Sequence, residues 1–330
     1  MALNATITAI GTYVPEKILT NKDLEKMVDT NDEWIRTRTG IQERRIVENG
    51  VATSHMSVNA IKKMLTEYDI DPATIDTIIV STVTPDMFFP STACLIQDQI
   101  GATNAWGFDL SAACSGFVFG LETATQFILG GRSKRILVVG ADTMSSITDY
   151  EDRNTCILFG DGAGAVLVEP TENPEYGILD SIMYCDGSGA EYLNMPAGGS
   201  LNPATHETVE NNMHYLYQDG RTVFKYAVNG MASVAVEVLE RNNLTGDDVD
   251  YFIPHQANKR IIDAAAKKMK IAPEKVVINI DKYANTTAAT IPLGLHEIVK
   301  SGQIQNGDTI VFATFGAGFT WGATLLRWGQ

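Results

Sequence analysis

Apolar positions along this chain fall into two recurring patterns. Short β-branched runs bounded by polar turns read as buried strands, and longer stretches with apolar residues every three to four positions read as amphipathic helices. IDTIIVSTV is a strand and STACLIQDQIGA a helix. AWGFDLS is a second strand, and it leads through SAACSG into the helical FVFGLETATQFILGG. The strands KRILVVGAD and AGAVLVEP complete the first half. The second half replays this order: VDYFIPH is a strand, ANKRIIDAAAKKM a helix, KVVINID a strand, TTAATIPLGLHEIVKSG a helix, and DTIVFATF and GATLLRW are strands. Alternation of this kind predicts an α/β fold.

The replay can be counted. Asp109 precedes Cys114 by five residues and Asp281 precedes Asn285 by four; Gly130 follows Cys114 by 16 and Gly302 follows Asn285 by 17. Each copy then runs into a β-branched strand and a Gly-rich turn, GDGAGAVLV in the first and FGAGFTWGATLL in the second. This register sets Asn285 at the turn equivalent to that of Cys114. The spacing is too long for a solenoid, so a duplicated domain is expected, with one half at residues 1–172 and the other at 173–330. The seam falls in the polar EPTENPEYG. Residues 186–220, rich in Gly, Asn and His, are expected to form an inserted loop region over a site.

Composition narrows the classes of function. The 330 residues are 45% hydrophobic and 20% charged, as in a soluble globular protein, and no apolar run is long enough to span a bilayer. The N-terminus lacks the basic region and apolar core of a secretory signal, so the expected location is cytoplasmic. The four cysteines are widely spaced and the five histidines show no HExxH spacing, which argues against a disulfide framework and against a metal site. A net charge of −15 argues against nucleic-acid binding.

Candidate chemistry collects at three strand-to-helix junctions. Cys114 sits where an apolar run breaks and turns helical. Unpaired N–H groups at such a turn favour a thiolate, and the small neighbours Ala112, Ala113, Ser115 and Gly116 leave room for a substrate. Alone, Cys114 reads as readily as a small buried hydrophobe; Cys94, Cys156 and Cys185 are assigned to packing. His255 follows a strand and precedes a helix, and alone it reads equally well as a satisfied strand-end histidine. Asn258 and Asn285 are also good N-caps. Their joint placement at matching junctions is what points to a site, since α/β folds gather ligands at the carboxyl ends of strands.

FGDGAGA and FGAGFTWG are each followed by a strand, which excludes a Rossmann phosphate loop; such a turn can instead aim an N–H at a developing oxyanion. Residues 255–275 hold six Lys or Arg against Asp263 and Glu274, a local +4. Arg260, Lys267 and Lys268 share one helical face. This suits either a helix C-terminal dipole or an acidic docking partner.

NDEWIRTRTGIQERR, SAACSGF, RNTCILFGDGAGAVLVEP, PHQANKRII, YANTTAATIPLGL and FGAGFTWG, in this order across essentially the whole chain, resemble β-ketoacyl-(acyl-carrier-protein) synthase III of bacterial fatty-acid synthesis. The resemblance implies the thiolase fold, a duplicated αβαβα layering with two mixed sheets, and a homodimer. It makes Cys114 the nucleophile, with His255 and Asn285 as its partners and the N–H groups of Cys114 and Ala317 as the oxyanion hole. Ala317 stands where many members have Gly. Trp34 and Arg153 match residues that sandwich the adenine of coenzyme A, and Arg38 matches a phosphate contact. Gly220, Phe224 and Asn258 match the pantetheine channel. Phe89 matches a residue reaching across the dimer into the partner's acyl pocket, which Met144 and Phe315 also line. Lys225, Gln256, Ala257, Asn258, Lys259, Arg260, Lys267 and Lys268 match the carrier-protein docking face.

The activity so implied is transfer of an acyl group from acyl-CoA to Cys114, followed by decarboxylative condensation with malonyl-(acyl carrier protein). Coenzyme A is then part of a substrate, and no cofactor or metal is expected. The alternatives are a related synthase priming polyketides or other secondary metabolites, and a non-catalytic subunit that binds acyl carriers. The bulk of Phe89 and Phe315 favours a short straight or branched primer.

Overall fold

The computed structural model describes residues 4–329. Two mixed sheets are built to one plan. The first contains β1 (Asn4–Tyr13), β2 (Thr77–Ser81), β3 (Trp106–Leu110), β4 (Ile136–Asp142) and β5 (Gly162–Thr171), in the order β1-β5-β4-β2-β3. The second contains β6 (Gly177–Cys185), β7 (Tyr251–Pro254), β8 (Thr309–Gly316) and β9 (Thr320–Arg327), in the order β7-β8-β9-β6. In the first, β2 runs parallel to β3 and β4, while β5 is antiparallel to both β4 and β1. In the second, β7 is parallel to β8, while β9 is antiparallel to both β8 and β6.

The counterpart of β3 falls in KVVINID, which sequence reading makes a strand. It is instead a single parallel bridge from Val276 to Phe252, after which the chain turns into a short helix at Ile280–Tyr283. Gln256 accounts for the difference. Its side chain takes the Asn279 and Ile280 N–H groups and donates to Val277 O, removing ladder groups that a strand would need.

Helices cover both sheets and fill the space between them. Outside the first sheet lie α2 (Thr53–Glu67) and α3 (Thr92–Ile100), which follow α1 (Asp32–Thr39). Between the sheets lie α4 (Gly116–Leu129) and α7 (Thr290–Lys300). Outside the second lie α5 (Gly220–Arg241) and α6 (Lys259–Met269). This is the layered αβαβα arrangement. β4 and β8 are buried along their whole length because both faces are covered, and they read as continuous apolar runs for that reason.

The two central helices start alike. Ala113 (φ 47°) and Thr287 (φ 51°) both adopt the left-handed conformation, each at the head of a one-turn helix that passes into α4 or α7. Past the far ends, Gly131 (φ 68°) and Gly302 (φ 69°) match as well. The backbone therefore aligns Cys114 with Ala288, and Asn285 lies three residues upstream. The expected register of Cys114 against Asn285 is corrected accordingly. The two helix lengths differ, and counting from one end of the pair cannot recover the other.

The second start presses on the first sheet at Gly140, where a Cβ would stand 2.2 Å from Ala288 O. Gly140→Ala is expected to lower stability by about 1–3 kcal/mol, because backbone and not a flexible side chain would have to move. A denaturant midpoint unchanged from wild type would show that this contact is slack.

Candidate active site

Cys114 lies in the Ala113–Ser115 turn, 9% exposed, and the second half of the chain holds that turn. Thr314 Oγ1 donates to Cys114 O (2.8 Å), Thr320 Oγ1 to Ala112 O (3.0 Å), and Ser115 Oγ to Thr320 O (3.0 Å). A Cβ on Gly316 would stand 2.8 Å from Cys114 N, so β8 reaches the Cys114 turn only through a glycine.

His255 continues from β7, its N–H bonded to Ala313 O (2.8 Å). The ring is buried and neither nitrogen has a hydrogen-bond partner in the protein. Such a group in a native structure calls for an explanation. Asn285 is held through its backbone, its N–H on Leu158 O (3.0 Å) and its C=O on Gly160 N–H (3.0 Å). Its Oδ1 accepts the Thr287 N–H (2.9 Å), which fixes the amide orientation and leaves Nδ2 as the group to face the site. Asn285 lines the same cavity as Cys114.

Cys114, His255 and Asn285 thus meet at one cavity of about 1180 Å³, part of it open to solvent, whose lining also includes Ala317, Met144 and Phe315. Gly220, Phe224 and Asn258 line the same cavity. Gly220 is exposed, Phe224 and Asn258 are half-buried, and Cys114 and Met144 are buried, so the cavity runs inward to the thiol. Leu193 and Leu216 from the 186–220 region close it, with Leu216 N–H tied to Ile147 O (2.9 Å).

Two electrostatic findings differ from or sharpen the sequence reading. Burial pushes the Cys114 thiol up to about 12, with the Asp142 carboxylate acting in the same sense; its own N–H and Asn285 oppose this without prevailing. The free site holds a thiol and not the thiolate expected from a helix start. Burial also drives His255 down to about 3, so its imidazole is neutral at physiological pH.

The His255 shift carries a pH signature. In the unfolded chain its ring takes a proton below about pH 6.5, whereas in the folded chain it stays neutral until about pH 3. The unfolded state binds more protons in that window, so stability falls as pH drops from 6.5 towards 3, by up to about 1.4 kcal/mol per unit. Urea unfolding across this range should show the loss, and His255→Asn should flatten it; an equal slope in the variant would reject His255 as its source.

Trp34 and Arg153 come together, the guanidinium 5.3 Å from the indole centroid and also paired with Asp29 at 3.4 Å. Arg38 is exposed, and its carbonyl accepts Asn258 Nδ2 (3.0 Å), tying α1 to the cavity lining. Lys225, Lys259, Arg260, Lys267 and Lys268 are exposed; Arg260 stacks on Phe224 at 4.8 Å and Lys259 pairs with Asp263 at 2.8 Å. Ala257 is half-buried in the cavity wall.

Gln256 departs from expectation. It is 1% exposed and clamps the chain after Pro254, so it offers nothing to a docking partner. Phe89 does not line this chain's cavity and stands 85% exposed beside Phe88 at 80%. Of the cysteines assigned to packing, Cys156 is buried but Cys94 and Cys185 are exposed.

Sequence reasoning missed Thr287, Phe159 and Leu158 in the lining and Asp142 hydrogen-bonded to Thr287. Asp142 had a signal, an acid ending an otherwise apolar buried strand. Among the described residues no cluster of three or more His, Cys, Asp or Glu could hold a metal, and no helix is long and apolar enough to cross a membrane.

Known proteins resemble this chain over nearly its whole length. Residues 108–187 match the family model 3-oxoacyl-[acyl-carrier-protein (ACP)] synthase III, and residues 239–328 match the model of its C-terminal part. A beta-ketoacyl-[acyl-carrier-protein] synthase III of Koribacter versatilis is 58% identical, covering 98% of both chains. One from Chlorobaculum tepidum is 55% identical over 99% of this chain and all of the other. The crystal structure of 3-oxoacyl-[acyl-carrier-protein] synthase III from Aquifex aeolicus superposes with a TM-score of 0.91 at 47% identity, covering 98% of this chain and all of that one.

Proposed function

The chain belongs to the 3-oxoacyl-[acyl-carrier-protein] synthase III family, the condensing enzymes that initiate fatty-acid synthesis, and from that premise we propose that Cys114, His255 and Asn285 carry the two half-reactions. The supporting observation is their convergence, from separate junctions, on one cavity that is apolar at depth and open at Gly220.

An acyl-CoA enters with its adenine at Trp34 and Arg153, a phosphate at Arg38, and its pantetheine arm past Gly220, Phe224 and Asn258. The acyl chain lies between Met144 and Phe315. Cys114 attacks the thioester carbonyl, and its thiol proton passes to the sulfur of the departing CoA. The N–H groups of Cys114 and Ala317 hold the oxyanion, and CoA leaves as its thiol.

Malonyl-(acyl carrier protein) then uses the same arm channel, its acidic carrier docked on Lys225, Lys259, Arg260, Lys267 and Lys268. His255 and Asn285 donate to the malonyl thioester carbonyl. Loss of CO₂ leaves an enolate that these donors stabilise, and its carbon attacks the acyl thioester on Cys114 to release the β-ketoacyl product. An uncharged amide suits this place because it can donate, where a carboxylate would oppose the developing charge.

The same reading makes the enzyme a cytoplasmic homodimer with Phe89 entering the partner's acyl pocket, and makes residues 1–172 and 173–330 its two halves.

Intact-mass spectrometry after incubation with a panel of acyl-CoAs tests this. One acyl group per chain, on Cys114, is expected, and the lengths that label define the primer. Folded protein that takes no adduct from any acyl-CoA would sink the acyl-enzyme.

A further inference from the structure

Asp142 ends β4 with its carboxylate fully buried and no cation hydrogen-bonded to it among the described residues. Six donors converge on it. Oδ1 accepts Val83 N–H (2.7 Å), Thr82 Oγ1 (3.0 Å), Thr84 Oγ1 (3.1 Å) and Thr84 N–H (3.3 Å). Oδ2 accepts the Thr287 hydroxyl and Ala288 N–H (3.3 Å).

Thr287 is the point of interest. A β-branched residue at φ 51° is strained and stays there only where its surroundings hold it. Its N–H is the group that fixes Asn285 Oδ1. The next residue, Ala288, abuts Gly116, two positions after Cys114, where a glycine Cβ would lie 3.6 Å from the Ala288 Cβ. One carboxyl group therefore ties the first sheet to the turn that aims the Asn285 amide.

We propose that Asp142 is a positioning residue for the condensation step: through Thr287 it holds Asn285 Nδ2 on the malonyl carbonyl. This rests on the role given above to Asn285. The other titratable groups around the site are few. His255 faces the cavity from β7 and is neutral. Asp161 accepts Val47 N–H (2.8 Å) and the Ser145 N–H (2.8 Å) and hydroxyl, again with no cation hydrogen-bonded to it among the described residues. Burial raises both carboxylates above the ordinary range, and Asp142 adds to the rise at Asp161.

The carboxyl group and the tether can be separated. Asp142→Asn turns one acceptor into a donor facing Ala288 N–H. Thr287→Val removes only the tethering hydroxyl, and Thr287→Ser keeps it. For each variant, beside Asn285→Ala and wild type, two measurements are made: the rate of Cys114 acylation by acyl-CoA, and kcat and KM for condensation with malonyl-(acyl carrier protein).

Asp142→Asn and Thr287→Val should each lower condensation kcat by about tenfold to a hundredfold with KM little changed. Thr287→Ser should retain it, a split that simple loosening of the fold would not produce. Condensation unaffected by Thr287→Val, with Asn285→Ala impaired, would overturn the proposal while leaving the role of Asn285 intact. Condensation unaffected by Asn285→Ala would overturn both. If Asp142→Asn fails to fold, the two Thr287 variants decide.

Discussion

Alanine at Cys114 is expected to abolish acyl transfer from every acyl-CoA and to lower β-ketoacyl product formation by at least ~10⁴-fold, the scale seen when a covalent nucleophile is removed. The substitution should be quiet structurally. The turn is held through main-chain carbonyls of Ala112 and Cys114, and the side chain lies in a cavity and not in a packed layer. His255 and Asn285 remain in place, so slow decarboxylation of malonyl-(acyl carrier protein) should persist. Radiolabelled product formation and CO₂ release, measured together, check both halves. Product at a tenth of the wild-type rate would mean that acyl transfer does not pass through this thiol.

Asparagine-to-aspartate at position 285 should be less severe than loss of Cys114, and worse than alanine. The isosteric acid can still accept the Thr287 N–H through one oxygen. Its second oxygen then takes the place of Nδ2 in the cavity that Cys114 shares. A charge there raises the thiol further and opposes the enolate, so both acylation and condensation should fall. Condensation is expected to drop by about 10²–10³-fold, the scale for losing one oxyanion-type donor. Asn285→Ala removes the donor without adding charge and should spare acylation. Single-turnover acylation and steady-state condensation on the two variants make the comparison; equal acylation rates would show that charge at this position does not reach the sulfur.

The junctions bearing Cys114 and His255 are legible from sequence because their signals are local, an apolar run ending in small residues or in a lone histidine before a helix. The duplicated plan is legible for the same reason, since strand and helix periods recur in order. What escapes sequence is set by contacts between distant segments. KVVINID has strand composition, yet Gln256 takes the backbone groups a ladder would use, and that same engagement buries Gln256 away from any docking face. Cys94 has the spacing of a packed residue on α3, but the helix turns it outward against Ser91. The register of Asn285 with Cys114 fails by three residues because the left-handed residues, and not the conspicuous side chains, mark equivalent positions. The thiol's ionisation is least legible of all. A helix start argues for a thiolate, whereas the depth of the cavity and a carboxylate 28 positions further along the chain decide against it.

The hairpin that grips the Cys114 turn has a practical consequence. Cys114 belongs to the first sheet's half, while Thr314, Gly316, Thr320, His255 and Asn285 all belong to the second. Between them the chain runs through 172–176, outside both sheets and exposed at Glu172, Pro174 and Glu175. Two polypeptides made by cutting there would each carry part of the machinery and neither a working site. Any activity would then require both fragments together, because the core between the sheets draws on each half.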